Sequence, residues 1–187
     1  MKTLIENINT KVAISDALEK AIEEHFICQE VPVNHILIKE GQYTQKLFFL
    51  DEGTVRSFHY GREKEVNSWF YINNQFFTCW YSFHAQRPSF ENLQTLTTCS
   101  ICSIDYSSYQ KLMDMYPEFQ KLGRLIAEEQ LAFIDYYSKG YMFMSAKERY
   151  DLLLSFIPDI ELRVKLGQIA SFLGVSQETL SRIRSKR

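Results

Sequence analysis

The spacing of apolar residues changes twice along the chain and divides it into three stretches. Up to about residue 30 they recur every three or four positions (Ile14, Leu18, Ala21, Ile22, Phe26), the period of a helix with one buried face. From Val31 the period shortens. Apolar runs at 36–38, 47–50, 55–60, 66–72, 76–83 and 90–104 alternate with breaks, several of them at Gly41, Gly53, Gly61 and Pro88. Short strands at regular intervals predict an antiparallel sandwich or barrel, so 31–105 reads as one β-roll. The helical period returns at Tyr109. Pro117 suits the first turn of a helix, where its missing N–H costs nothing. That helix is predicted to run to about Ser138, with Gly140 just past its end.

Within the long helix, Phe119, Leu122, Ile126, Glu129, Phe133 and Tyr136 alternate steps of three and four, a stripe of coiled-coil type. Some 20 residues of helix span roughly 30 Å. A helix of that length between two domains predicts a dimer seam, with Phe119, Leu122, Ile126 and Phe133 as its apolar contacts. The alternative is that the stripe packs on the chain's own β-roll. Beyond it, Ser145-Ala146-Lys147-Glu148 is a capping box opening a helix that lasts until Pro158, so a new unit begins near Ser145.

The segment 166–183 has the layout of a helix-turn-helix. Ala170 is small where two helices would cross closely, and Gly174 falls at the turn, where a positive φ is easy only for glycine. Ile169, Leu173, Val175, Leu180 and Ile183 supply a shared apolar core, and Ser176 is a good N-cap for the second helix. That helix exposes Gln177, Glu178, Thr179, Ser181 and Arg182. Arg can pair with guanine, Gln with adenine and Glu with the cytosine amino group, so these five are the candidate base readers. Lys165, Ser176, Arg184, Lys186 and Arg187 surround them as candidate phosphate contacts, which give affinity without sequence information.

Charge supports that reading once its distribution is considered. The chain's net charge of −2 is wrong for a polyanion binder. Residues 161–187, however, carry six cationic side chains against Glu161 and Glu178, a net of +4, which leaves −6 on the rest. A basic end on an acidic body is what a nucleic-acid reader attached to a separate domain requires.

Composition narrows the remaining classes. With 187 residues, 45% of them apolar and 14% aromatic, the chain has material for a real core. No apolar run approaches the roughly 20 residues of a membrane span, and the N-terminus lacks the apolar stretch of a secretion signal, so a cytoplasmic protein is expected. Cys28, Cys79, Cys99 and Cys102 are too few and too scattered for a disulfide framework and read as small buried residues. Cys99 and Cys102 have the spacing of a metal pair, but on a strand residues three apart face opposite ways. No metal site is expected. An enzyme of β-barrel type would need clustered metal ligands, and His35, His59 and His84 are too dispersed to supply them.

On these residues the chain resembles the Crp/Fnr family of bacterial regulators. The likeness is most specific at 169–184, and 36–41 and 47–56 look like the family's first strands with their turn glycines. The resemblance implies an α+β fold: an N-terminal antiparallel β-roll of cyclic-nucleotide-binding type (1–115), a dimerisation helix (116–140) and a C-terminal helix-turn-helix (145–187), the last a reduced winged helix. It implies a homodimer on double-stranded DNA, with RNA polymerase and a small effector as further partners. By the same resemblance Glu178 and Arg182 match base-contacting positions, while Gln177 replaces an Arg. Members that bind cyclic AMP carry a Gly-Glu pair and, some ten residues on, an Arg-Ser pair. The corresponding residues here are Gln75, Phe76, Arg87 and Ser89, the candidate effector pocket. Gln75 replaces the Glu and Pro88 separates Arg87 from Ser89, which argues against a cyclic nucleotide. The aromatics between Trp69 and Phe83 either line a pocket for an apolar effector or fill the roll. A ligand-binding module without direct DNA reading is the alternative function.

Overall fold

A computed structural model describes residues 1–61 and 64–185. Two helices, α1 (Lys2–Lys11) and α2 (Asp16–His25), precede eight strands: β1 (Ile27–Val31), β2 (Ile36–Ile38), β3 (Lys46–Glu52), β4 (Val55–Tyr60), β5 (Glu65–Tyr71), β6 (Gln75–Phe77), β7 (Asn92–Thr95) and β8 (Cys99–Asp105). A short helix, α3 (Trp80–Ala85), lies between β6 and β7. The strands form two four-stranded sheets, ordered β1-β8-β3-β6 and β2-β7-β4-β5, and every pairing is antiparallel. Helices follow: α4 (Tyr106–Met115), α5 (Pro117–Tyr141), α6 (Ala146–Phe156), α7 (Ile160–Arg163), α8 (Leu166–Leu173) and α9 (Gln177–Ser185).

The apolar run of β3 is continuous because both faces of the first sheet are covered there. Successive side chains of a strand point to opposite faces. In β3, Phe48 and Leu50 enter the roll's interior with Val55, Tyr71, Phe77 and Ile101, while Leu47 and Phe49 point outward. The outward face is covered by α1, α2, α4 and the first half of α5 through Leu4, Ile8, Leu18, Ile22 and Leu112. β6 repeats the split, with Phe77 stacked on Phe48 inside at 5.2 Å and Phe76 against Phe49 outside at 5.1 Å.

The third core belongs to the C-terminal helices and includes a residue of the roll. Leu153, Ile157, Ile160, Ile169, Leu173 and Leu180 cluster with Phe70 of β5. Ser145 caps α6 by accepting from the Glu148 amide, and Glu148 accepts from the Ser145 amide in return, as the capping-box pattern predicts.

Three expectations change. The run 76–83 is a strand only at Gln75–Phe77, and its remainder forms α3, an element whose aromatic residues give it a strand-like look. Gly140 lies inside the last turn of α5, which continues to Tyr141. The cysteines are not all free core residues. Cys28, exposed on β1, is bonded to Cys102, which lies directly opposite it on β8. Cys99 and Cys102 do face opposite ways, one into the roll and the other outward, and Cys79 and Cys99 are buried and free.

Candidate nucleic-acid interface

The helix pair α8–α9 is built around Ile169, Ala170, Leu173 and Leu180, each at most 2% exposed, with Val175 and Ile183 packed beside them. Gly174 ends α8 at φ +70°, a left-handed conformation that glycine adopts without penalty. The Val175 amide then bonds back to the Ala170 carbonyl at 3.0 Å, which turns the chain into α9. Ser176 caps α9 by accepting from the Thr179 amide at 3.2 Å.

This geometry leaves Gln177, Glu178, Ser181 and Arg182 exposed on one helix. Thr179 is half-buried, and its hydroxyl contacts that of Ser176 at 3.2 Å, so it serves the cap as well as the surface. The Ser176 hydroxyl, the backbone of α9 and the Arg182 cation hold the Glu178 carboxyl below its usual range, so it stays an acceptor at neutral pH.

The surrounding candidates differ among themselves. Lys165 is exposed at the start of α8. Arg184 is engaged: its Nε meets Glu161 Oε1 at 2.6 Å, and the Tyr150 hydroxyl donates to the same carboxylate. It thereby ties α9 to α6 and α7, and it must exchange Glu161 to reach a phosphate. Lys186 and Arg187 lie outside the described residues. Among the described residues no strand follows Asp105.

Contacts that sequence reasoning misses attach this helix pair to the roll. Ser171 of α8 donates to the Glu65 carbonyl at 3.0 Å and accepts from the Asn67 amide at 3.2 Å. Phe172 packs edge-on against Trp69 and Phe70. Its carbonyl accepts from the Tyr141 hydroxyl at the end of α5 at 2.9 Å. Arg149 stacks on Tyr141 and donates to the carbonyl of Leu173, placing a cation at the negative end of α8. Ser171 and Phe172 are unremarkable in sequence, and only the tertiary fold shows that they face β5.

The four residues expected at a dimer seam are not exposed as one. Phe119, Leu122 and Ile126 are 2%, 2% and 7% exposed, within the core that joins α5 to the roll. Phe133 contacts Trp69 and Phe156. The helical period holds, but the stripe covers the chain's own apolar surface. A second stripe of Ala127, Leu131, Ile134 and Ser138 lies exposed, with Leu131 at 69% and Ile134 at 52%. At 3.6 residues per turn it sits about a third of a turn round α5 from the buried one.

The candidate effector residues do not converge on one site. Gln75 accepts from the Ile72 amide within its own turn, and Arg87 is exposed. Ser89 is buried and exchanges hydrogen bonds with the Glu91 backbone. Beneath them lies an acid. The half-buried Glu91 carboxylate accepts from Ser57, near Tyr71 and Cys79, and burial raises its pKa. The same burial, with Glu91 nearby, pushes the Cys79 thiol up to about 12. A cyclic phosphate needs a cation and free donors there. Here Arg87, the segment's cation, points to solvent, while the buried groups are a carboxylate and committed hydroxyls, so its residues do not fit one. Among the described residues no cluster of His, Cys, Asp or Glu could hold a metal, and no helix is long and apolar enough to cross a membrane.

A β-roll, a long connecting helix and a helix-turn-helix define the class of architecture. Residues 28–116 match the model of the cyclic nucleotide-binding domain family. Among solved structures, the chain is similar to the c-di-GMP-responsive global regulator CLP of Xanthomonas campestris, at 16% identity and a TM-score of 0.71, covering 92% of this chain and 91% of that one. A transcriptional regulator of the Crp/Fnr family from Eubacterium rectale gives 0.70 at 16% identity, covering 92% and 83%. The catabolite activator protein of Thermus thermophilus gives 0.60 at 16% identity, covering 96% and 85%. No curated protein matches the chain by sequence. The chain has the fold of the Crp/Fnr regulators, with a roll of cyclic-nucleotide-binding type.

Proposed function

We propose that this protein is a homodimeric DNA-binding transcription regulator that reads an inverted-repeat operator through α9. One observation carries the reading: the exposed row Gln177, Glu178, Ser181 and Arg182 on a helix held rigidly by the Gly174 turn and the Ser176 cap. A helix so mounted places its N-terminal residues in a major groove. Gln177, Glu178, Thr179, Ser181 and Arg182 read base edges, while Lys165, Ser176 and Arg184 with the chain's last two residues hold phosphates. The protein works in the cytoplasm, on DNA that RNA polymerase transcribes. Two copies joined along α5 would set their recognition helices about 34 Å apart, one turn of DNA. The fold likeness supports this reading, since the regulators named above share the architecture.

Changing Arg182 to Ala tests it. Specific binding should weaken by about 1–3 kcal/mol and discrimination relax at one base pair of each half-site. Footprinting titrations of wild type and variant measure both, and equal operator affinity would remove Arg182 from the base-reading set. Binding should also fall steeply with salt, as release of counterions from phosphates requires.

A further inference from the structure

A cavity of about 350 Å³ opens where all parts of the chain meet. The long helix α5 contributes Glu129, Gln130 and Phe133. The roll contributes Trp69 and Tyr71 of β5 and the turn into β6. Lys11 closes one side from α1, and Phe156 of α6 with Ile157 just after it closes another. The cavity lies outside the roll's interior. Of the two β6 aromatics it touches Phe76, which faces the helices, and not Phe77, which fills the roll. None of residues 79–91 lines it.

Its chemistry is unusual in being balanced. Lys11 Nζ meets both carboxylate oxygens of Glu129, at 2.6 and 2.8 Å, across 118 residues of sequence. The Lys11 side chain is 24% exposed and that of Glu129 56%, so the pair sits at the cavity mouth. A purely anionic ligand would be drawn to Lys11 and repelled by Glu129, and a purely cationic one the reverse. A molecule carrying both charges can enter between them, exchanging one charge-assisted ion pair for two. Trp69, Phe76, Phe133 and Phe156 line the same cavity, an apolar wall for the rest of such a molecule. Gln130 is half-buried, and no hydrogen bond ties its amide to the described residues. The volume sits at the small end of ligand sites, the size of one compact molecule.

We infer that this cavity binds a small zwitterion with an apolar body, an α-amino acid with a large aliphatic or aromatic side chain. Its carboxylate pairs with Lys11, its ammonium with Glu129, and its side chain lies against the aromatic wall. The site joins the roll, α1 and α5 to α6, so an occupant would bias how the reader sits against the long helix. That consequence rests on the DNA-reading function proposed above; the binding does not.

Calorimetry on the whole chain tests the binding. The probes are L-phenylalanine, L-leucine and L-tryptophan, with phenethylamine, 3-phenylpropanoate and cyclic AMP for comparison. Saturable binding of at least one amino acid, one per chain, is expected. Its one-charge analogue should bind about tenfold or more weakly, as loss of a hydrogen bond to a charged group implies. Lys11→Met and Glu129→Gln should each cost a similar factor, and Gln130→Trp, which fills the cavity, should abolish binding while the protein still melts cooperatively. Absence of binding by all three amino acids overturns the site, as does undiminished binding in Gln130→Trp. Equal binding of phenethylamine or 3-phenylpropanoate overturns the zwitterion class. No DNA is present in these titrations, so their failure leaves DNA reading standing, and a failed DNA experiment leaves them intact.

Discussion

If two copies join along the exposed stripe of α5, the seam that the proposed dimer requires, replacing Leu131 and Ile134 by glutamate should separate them without unfolding the chain. Both lie on the exposed stripe of α5, at 69% and 52% exposure. Burying a whole Leu or Ile side chain yields about 1.5–3 kcal/mol, so covering the exposed fractions yields roughly 1–2 kcal/mol for Leu131 and about 1 for Ile134. Counted on both protomers, the loss is about 4–6 kcal/mol, roughly three to four decades in the dimer dissociation constant. Four carboxylates set against one another would add to it. Sedimentation velocity from nanomolar to micromolar protein measures the shift, and a thermal melt of the separated protomer shows that the core is intact. Phe119→Ala is the opposite control. That ring is 2% exposed within the chain's own core, so its loss should cost about 3–5 kcal/mol of stability. A double variant that stays dimeric at wild-type concentrations would refute the seam assignment, and so would a Phe119→Ala protein that dissociates at unchanged stability.

Further predictions concern the roll and the reader. Glu91 is an acid whose folded pKa is raised, so folding carries a cost once pH exceeds its unfolded value. Glu91→Gln keeps an acceptor for Ser57 and should raise the melting temperature at pH 7. The gain should fade as pH falls through the ordinary carboxylate range, and a pH-independent gain would contradict the assignment. Thiol titration of the native protein should find neither Cys79, whose pKa is pushed up to about 12, nor buried Cys99. Gentle reduction should release one fast thiol, exposed Cys28; a fast thiol without reduction would contradict the Cys28–Cys102 bond. Gly174→Ala must adopt φ near +70° and should destabilise the reader by about 1–2 kcal/mol, read from local hydrogen exchange in α8 and α9. Unchanged exchange there would refute the strained turn.

Features set by short-range chemistry are legible in the sequence. The capping box at Ser145, the glycine turn at 174 and the Ser176 cap each depend on a few neighbouring residues, and all three form. The roll is legible too, because strand spacing and turn glycines are local. Residues decided by tertiary placement are not. The stripe from Phe119 to Phe133 has a helical period whichever surface it covers, so periodicity cannot tell a partner's surface from the chain's own. The Cys28–Cys102 pairing depends on β1 lying antiparallel to β8, 74 residues away. The segment 76–83 is aromatic enough to read as a strand, yet it turns after Phe77 and forms α3. Lys11 and Glu129 each look like an ordinary surface charge in sequence, and their meeting is a fact of the fold alone.

The most direct test of the central claim is selection of genomic DNA fragments by the purified protein at near-physiological salt, with and without the amino-acid probes. Enrichment of one inverted-repeat motif with half-sites about one helical turn apart, weakened in Arg182→Ala and relaxed at one base pair of each half-site, is the predicted result. Recovery of no motif under any of these conditions would contradict DNA reading through α9, and recovery of the same motif by Arg182→Ala with undiminished strength would remove Arg182 from the base-reading set.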